Sequence, residues 1–261
     1  MNLEEITRKV SAIAYDTGAF IRKERKRFTY ESVEFKGVSD LVSYVDKESE
    51  QRIISGLEKI IPGAGFITEE ETIEQGQKEY TWIIDPLDGT TNFVHGIPNY
   101  CVSIGLMHNG KIVAGVVYEV ANDECFHAWK SGGAYLNNEP IHVSQAKAFS
   151  DTVLATGFPY YEFERLDEYL KILHQLMEST QGLRRMGSAA ADMAYVACGR
   201  YGGYFEYNLN SYDIAAGVIL VQEAGGTVSD FKGGEDYIFG REIVAGGRVH
   251  ATLLDVIQRY W

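Results

Sequence analysis

The segment Trp82-Ile83-Ile84-Asp85-Pro86-Leu87-Asp88-Gly89-Thr90-Thr91-Asn92 constrains this chain more than any other stretch of it. Trp82, Ile83 and Ile84 read as a buried strand, and that strand delivers Asp85 to a sheet edge. Pro86 cannot donate to a ladder and forces a turn, so Asp88 comes back close to Asp85. Gly89 and Thr90 follow, where a new helix starts with exposed backbone N–H groups. Neighbouring carboxylates repel, and both stay ionised only with a cation between them or with one pKa raised. Hard oxygen ligands suit Mg²⁺, and the N–H groups of a helix start suit a phosphate. Cation and phosphate sites side by side describe metal-assisted phosphoryl chemistry. An Asp-Pro turn with a helix cap accounts equally well for Asp88 or Thr90 taken singly.

Two further acidic points matter. Glu69-Glu70-Glu71 closes another short apolar run, Phe66-Ile67, and three glutamates in a loop are ordinarily just solvated. In Tyr212-Asp213-Ile214-Ala215-Ala216-Gly217, Asp213 opens an apolar helix, where a first-turn acid is favoured by the helix dipole alone. Only convergence of the three segments makes them a site.

Around these points helix and strand alternate. Leu3, Ile6, Val10, Ile13 and Phe20 predict an amphipathic first helix. Val45, Ile53, Leu57 and Ile60 predict a second from about Val42 to Ile61, stopped by Pro62-Gly63. Thr72 to Tyr80 reads as an exposed loop or hairpin, and the strand from Trp82 is expected to stop at Asp85. Residues 101–107 and 111–120 flank His108-Asn109-Gly110, a tight hairpin signal. Residues 124–129 and 134–136 continue a meander, and a lobe boundary is expected near residues 145–151. Beyond it come a strand at 153–156 and a helix marked by Leu166, Tyr169, Leu170, Leu173 and Leu176. An Ala-rich helix at 188–198, an extended stretch at 204–207 and a helix at 214–224 follow. The chain closes with strands at 227–231 and 243–245 and a helix at 249–259. The pattern lacks a regular βαβ period and favours a layered mixed fold over a barrel.

Composition narrows the function classes. The chain has 261 residues, 45% of them hydrophobic and 23% charged, an ordinary globular balance. A net charge of −13 repels a nucleic-acid backbone. The basic run Arg22, Lys23, Arg25, Lys26 and Arg27 reads better as a solvated helix end. No apolar run is long enough to span a bilayer, and Met1-Asn2-Leu3-Glu4-Glu5 is acidic where a secretory signal is basic and then apolar. Cys101, Cys125 and Cys198 are isolated and form no CxxC pair, as expected of free thiols in a reducing cytoplasm. HExxH, Walker, GxSxG and helix-opening GxGxxG motifs are missing.

The segment from Trp82 to Pro98, WIIDPLDGTTNFVHGIP, with YDIAAG at 212–217 and EAGG at 223–226, closely resembles the inositol monophosphatase family of Mg²⁺-dependent, lithium-sensitive phosphatases. The resemblance covers essentially the whole chain. It implies an α+β fold, a layered α-β-α-β-α sandwich of the inositol monophosphatase and fructose-1,6-bisphosphatase type. The implied organisation is an N-terminal lobe, 1–147, carrying most metal ligands, and a C-terminal lobe, 148–261, closing the site with Asp213. The implied activity is Mg²⁺-dependent hydrolysis of a phosphate monoester by metal-activated water, foremost of myo-inositol monophosphate. The alternatives are a broader activity on NADP(H), fructose 1,6-bisphosphate or a 3′-phosphonucleotide, and a non-catalytic regulator.

By the same resemblance two or three Mg²⁺ ions are held by Glu69, Asp85, the Leu87 carbonyl, Asp88 and Asp213. Thr90 and Asp46 orient and deprotonate the attacking water, with Glu69 counted among the catalytic groups. Glu69, Leu87, Asp88, Gly89, Thr90, Gly187, Ser188, Ala189, Glu206 and Asp213 contact the substrate. Thr68-Glu69-Glu70-Glu71 stands where the family carries Gly-Glu-Glu-Ser, which leaves Glu70 open as a ligand. Lys36 falls in a loop near the metals in relatives. Tyr212 replaces a usual Trp, and Asn210 occupies a position that varies with substrate. The expected partners are a small phosphorylated substrate and a second copy of the chain, with no nucleic acid and no membrane.

Overall fold

The computed structural model describes residues 1–29, 33–35, 41–159 and 163–261. Helix α1 (Leu3–Arg25) buries Ile6, Val10, Ala14 and Ile21, with Leu3, Ile13 and Phe20 packed at its margin. This is the stripe the sequence spacing predicts. A short antiparallel pair, β1 (Val33–Phe35) and β2 (Leu41–Ser43), leads into α2 (Tyr44–Ile60). A reciprocal cap starts α2. Ser43 Oγ accepts from the Val45 N–H, while the Ser43 backbone N–H and hydroxyl donate to Asp46 Oδ2 at 2.8 and 2.6 Å.

The larger sheet has seven strands in sequence order, beginning with β3 (Gly65–Thr68) and β4 (Tyr80–Asp88). They are followed by β5 (Cys101–His108), β6 (Lys111–Glu119), β7 (Glu124–Trp129), β8 (Gly133–Leu136) and β9 (Glu139–Ile141). β3 and β4 run parallel and each later pair antiparallel. The β5–β6 hairpin turns on Asn109 and Gly110 at φ 49° and 79°, the positive values a two-residue turn requires. Both faces of the sheet are covered, so its central strands read as continuous apolar runs. Trp82, Ile84, Val102, Ile104 and Val116 pack toward α1 and α2, while Ile83, Val117 and Phe126 join the core on the opposite face.

That opposite core is filled by α5 (Ala189–Ala197) and α6 (Ser211–Glu223). Gly105 and Gly115 are partners across β5 and β6 and let α6 lie close. A Cβ on Gly115 would stand 2.7 Å from the Ala216 carbonyl oxygen, and one on Gly105 would stand 2.9 Å from Ala215 Cβ. Beyond these helices lies a mixed five-stranded sheet. Its order is β11 (Leu183–Arg184), β10 (Leu154–Thr156), β12 (Gly203–Tyr207), β14 (Glu242–Gly246) and β13 (Thr227–Ser229). Helices α4 (Leu166–Ser179) and α7 (His250–Gln258) cover its outer face through Tyr169, Ile172, Leu176, Leu253 and Ile257. The layers therefore run helices, sheet, helices, sheet, helices, as the α-β-α-β-α expectation has it.

Two local expectations are corrected and one strand goes unread. Leu170 is 50% exposed and Ile172 takes the inner position on α4. β9, with its polar Glu139-Pro140 edge, carries no apolar run and goes unread in the sequence. The strand from Trp82 does not stop at Asp85. β4 continues to Asp88, and its register shifts where Asp85 opposes Ser103 but Asp88 opposes Cys101. Pro86 sits inside this bulge, where its missing N–H costs no ladder bond.

Candidate active site

The bulge is what brings the acids together. β3 and β4 are parallel, and the Glu69 N–H donates to the Ile84 carbonyl at 3.2 Å, so Glu69 leaves the sheet beside Asp85. Asp85 Oδ1 accepts from the Leu87 N–H at 2.9 Å, which folds the turn back on itself. Gly89 then takes φ 94° and starts α3 (Thr90–His95). A Cβ there would lie 2.9 Å from the Asn99 carbonyl oxygen, so glycine is required on both counts. Thr90 Oγ1 lies 2.8 Å from Asp46 Oδ1 and 3.0 Å from the Leu87 carbonyl oxygen. Asp46 thus holds α2's cap with one carboxylate oxygen and meets Thr90 with the other.

The second half of the chain closes over this edge. Ser188 Oγ and the Ala190 N–H each donate to Asp88 Oδ2 at 2.7 Å, seating the start of α5 on Asp88. Asn92 Nδ2 and Asn99 Nδ2 donate to the Met186 carbonyl at 2.8 and 3.1 Å and fix the approach to Gly187. Asp213 stands in the first turn of α6, where its Oδ2 accepts from the Asn210 N–H at 2.6 Å. Between these elements lies a cavity of about 280 Å³. Glu69, Asp88, Gly187, Ser188, Ala189, Glu206 and Asp213 all line it, as do Asn210 and Tyr212. Asp46, Asp85, Leu87, Gly89 and Thr90 are not part of its wall, and Asp46 and Asp85 are buried behind it. Leu87 has its side chain in the core, leaving only its carbonyl for the site. Lys36 lies outside the described residues.

Electrostatics mark the cleft as a place for positive charge. Burial, then the charge of Asp213, pushes Glu69 well above the carboxylate range. Burial, then Glu69, Asp88 and Asp213, does the same to Asp85. Burial followed by Asp88 raises Asp213. Asp88 is pushed up to about 6 by burial, against the hydrogen bonds of Ser188 and Ala190 and the charge of Arg185. Glu206 is pushed up to about 7 by burial, opposed by the Tyr204 hydroxyl that donates to it at 2.5 Å.

Among the described residues no three His, Cys, Asp or Glu side chains close into a ready-made ligand cage. The donor set itself, four carboxylates and a backbone carbonyl with no sulfur or imidazole, fits a hard divalent cation.

Sequence reasoning passed over several groups at the cavity. Arg185, Arg241 and Asp192 line it. Asp192 had a readable signal, being the lone charge within the apolar run of α5. Arg241 had none, since a loop arginine before a strand is commonplace. It adopts φ 66° and pairs with Asn208, itself at φ 67°, at the end of the β12–β14 ladder.

The sequence model of the inositol monophosphatase family matches residues 2–261. An inositol-1-monophosphatase of Mesorhizobium japonicum is 44% identical over 229 residues, 87% of this chain and 86% of that protein. The Nus factor SuhB of Pseudomonas aeruginosa is 41% identical over 251 residues, covering 94% and 93%. The crystal structure of the extragenic suppressor protein suhB from Bartonella henselae superposes with a TM-score of 0.92 at 39% identity, over 98% of this chain and 99% of that one.

Proposed function

The chain belongs to the inositol monophosphatase family and is thereby a phosphoric monoester hydrolase, and from that premise we propose that it hydrolyses myo-inositol monophosphate to inositol and phosphate with Mg²⁺ as cofactor. The observation that carries the reading is the Thr90 hydroxyl, held between Asp46 Oδ1 and the Leu87 carbonyl at the edge where Glu69, Asp85 and Asp88 emerge. Glu69, Asp85, the Leu87 carbonyl, Asp88 and Asp213 would hold two or three Mg²⁺ ions, which supply Lewis-acid activation of water and neutralise charge on the phosphate and the leaving oxygen.

The protein's own part in the reaction is positional and protonic. Thr90 Oγ1 donates to Asp46 Oδ1, so its lone pairs are free to accept a proton from the attacking water. Asp46, raised by burial against the hydrogen bonds of Ser43 and Thr90, is basic enough to take that proton at Oδ1 through the hydroxyl. The backbone N–H groups of Gly89 and Thr90, at the head of α3, bind the phosphate. Gly187, Ser188 and Ala189 form the wall against which the alcohol rests, and Glu206 accepts from one of its hydroxyls. Residues 1–147 contribute Glu69, Asp85 and Asp88 in this reading, and 148–261 contribute Glu206 and Asp213.

Arg185 and Arg241 favour a second reading, because two guanidinium groups lining the cavity suit a substrate with another anionic group. NADP(H), fructose 1,6-bisphosphate and a 3′-phosphonucleotide all carry one. The Pseudomonas relative is named a Nus factor, and the full acid set supports catalysis over a non-catalytic regulator. The net charge of −13 speaks against a nucleic-acid partner. No helix among the described residues is long and apolar enough to cross a membrane. The test is phosphate release from inositol 1-phosphate with Mg²⁺ and with EDTA, and from NADP⁺ in parallel. Mg²⁺-dependent release favouring the inositol ester supports the reading, and release from NADP⁺ alone replaces it with the second.

A further inference from the structure

Asp192 sits one turn into α5, its N–H donating to the Ser188 carbonyl at 3.0 Å, and lines the cavity together with Asp88 and Glu206. It is 1% exposed, and its buried Oδ1 has no hydrogen-bond partner among the described residues. A buried carboxyl left in that state costs the fold desolvation with no return. The helix dipole offsets a fraction of that cost at this first-turn position. The remaining surroundings are unhelpful. After burial itself, the charges of Glu206 and Asp88 oppose ionisation of Asp192, and the nearby Arg185 offsets them in part. Unsatisfied polar groups persist in native structures where a function uses them.

We propose that Asp192 is a specificity-determining residue that, beside Glu206, receives a hydroxyl of a polyol leaving group in the cavity. The inference rests on the hydrolase reading above and narrows it to esters whose alcohol carries at least two hydroxyls besides the phosphorylated one. Glu206 is placed for the same task by a notch. A Cβ on Gly157 would lie 1.9 Å from its carboxyl group, so the absence of a side chain there is what admits the carboxyl to the cavity wall. The Gly157 carbonyl is in turn held by the Tyr169 hydroxyl at 3.0 Å. Both acids line the cavity, where Glu206 Oε2 accepts from the Tyr204 hydroxyl and Asp192 Oδ1 has no partner among the described residues. A hydroxyl both donates and accepts, so one ring oxygen can serve Asp192 while its neighbour serves Glu206.

The experiment compares KM for inositol 1-phosphate and for cyclohexyl phosphate, which lacks the hydroxyls, in the wild type, Asp192→Ala and Asp192→Asn, with Mg²⁺ and a thermal melt of each. Asp192→Ala is expected to raise KM for the inositol ester about tenfold, the size of one lost hydrogen bond to a carboxyl, and to leave cyclohexyl phosphate within about twofold. Asp192→Asn keeps a donor and an acceptor and is expected to restore the preference to within about threefold of wild type. An unchanged preference in Asp192→Ala, or an equal loss on both esters, overturns the proposal. Loss of a cooperative melt in Asp192→Ala also overturns it, because the carboxyl would then be serving the fold. A wild type that releases phosphate from neither ester defeats the hydrolase reading itself, an outcome distinct from the others.

Discussion

Thr90 is a partly exposed alcohol whose oxygen reaches both a buried carboxylate and the carbonyl of the Asp-Leu-Asp turn. An alanine there keeps α3's backbone N–H groups but removes the hydroxyl through which the proposed reaction passes a proton from water to Asp46. Thr90→Ala is therefore expected to lower kcat by about a hundredfold to a thousandfold with KM within a few-fold. Thr90→Ser keeps the hydroxyl and most of the turnover. Steady-state kinetics on inositol 1-phosphate decides, and a change confined to KM contradicts the role. Asp88 poses the complementary case. In the proposed reading its charge serves cation binding, while for the fold it is a burden, its carboxyl pushed up to about 6 by burial. Asp88→Asn retains an oxygen for Ser188 and Ala190 and sheds the charge. It is expected to melt no lower than the wild type in EDTA while turnover falls roughly a thousandfold, equivalent to ~4 kcal/mol. Near-wild-type turnover would remove Asp88 from the cation site.

At the scale of elements, the site depends on how closely α6 approaches the large sheet. Asp213 is carried by the first turn of α6, and the body of that helix lies over Gly105 and Gly115. Gly115→Ala forces a methyl group against the Ala216 carbonyl and Ile219, and overpacking of this kind costs about 1–3 kcal/mol. The expected result is a lowered melting temperature together with weaker Mg²⁺ binding, because Asp213 moves with its helix. A stable variant with unchanged Mg²⁺ affinity would show that the helix seat does not set the site. The glycines were legible in the sequence as strand residues, but their service to a helix a hundred residues away was not. The same limit governs the rest. Apolar periodicity revealed α1, α2 and the β5–β6 hairpin, since each writes its burial into local spacing. It misassigned Leu170, because α4 meets the small sheet through Tyr169, Ile172 and Leu176 rather than through its leucines as a set. It ended β4 early, because a bulge around Pro86 depends on pairing with β5 that no single strand displays. Asp85, Asp88 and Asp213 stood out as acids at element ends. Asp192 was legible as the lone charge in an apolar helix, but its meaning comes only from the cavity it lines.

Over the whole molecule these local burdens share one sign. Glu206 moves from an ordinary 4.5 up to about 7 and Asp88 from 3.8 up to about 6, and burial raises Asp46, Glu69, Asp85, Asp192 and Asp213 as well. A raised folded-state value means that the folded chain holds protons the unfolded chain has released. The stability that Asp88 and Glu206 contribute is complete below pH 3.8–4.5 and is lost as pH rises through about 6 to 7, and the other raised acids act in the same direction. The overall charge of −13 at pH 7 works in the same direction. In EDTA, then, the melting temperature is expected to fall between pH 5 and pH 8. A divalent cation bound to the folded chain alone replaces the missing protons and reverses the trend. At Mg²⁺ a hundred times its Kd the gain is about 2.7 kcal/mol, or roughly 5–10 °C for a chain of this size. It should be largest at pH 8 and small at pH 5, where protons already occupy the acids. Calorimetric melts across pH 5–8, with EDTA and with Mg²⁺, read both halves of the argument. A melting temperature that rises with pH in EDTA, or a Mg²⁺ gain independent of pH, would mean that the buried acids are not what couples this fold to its cation.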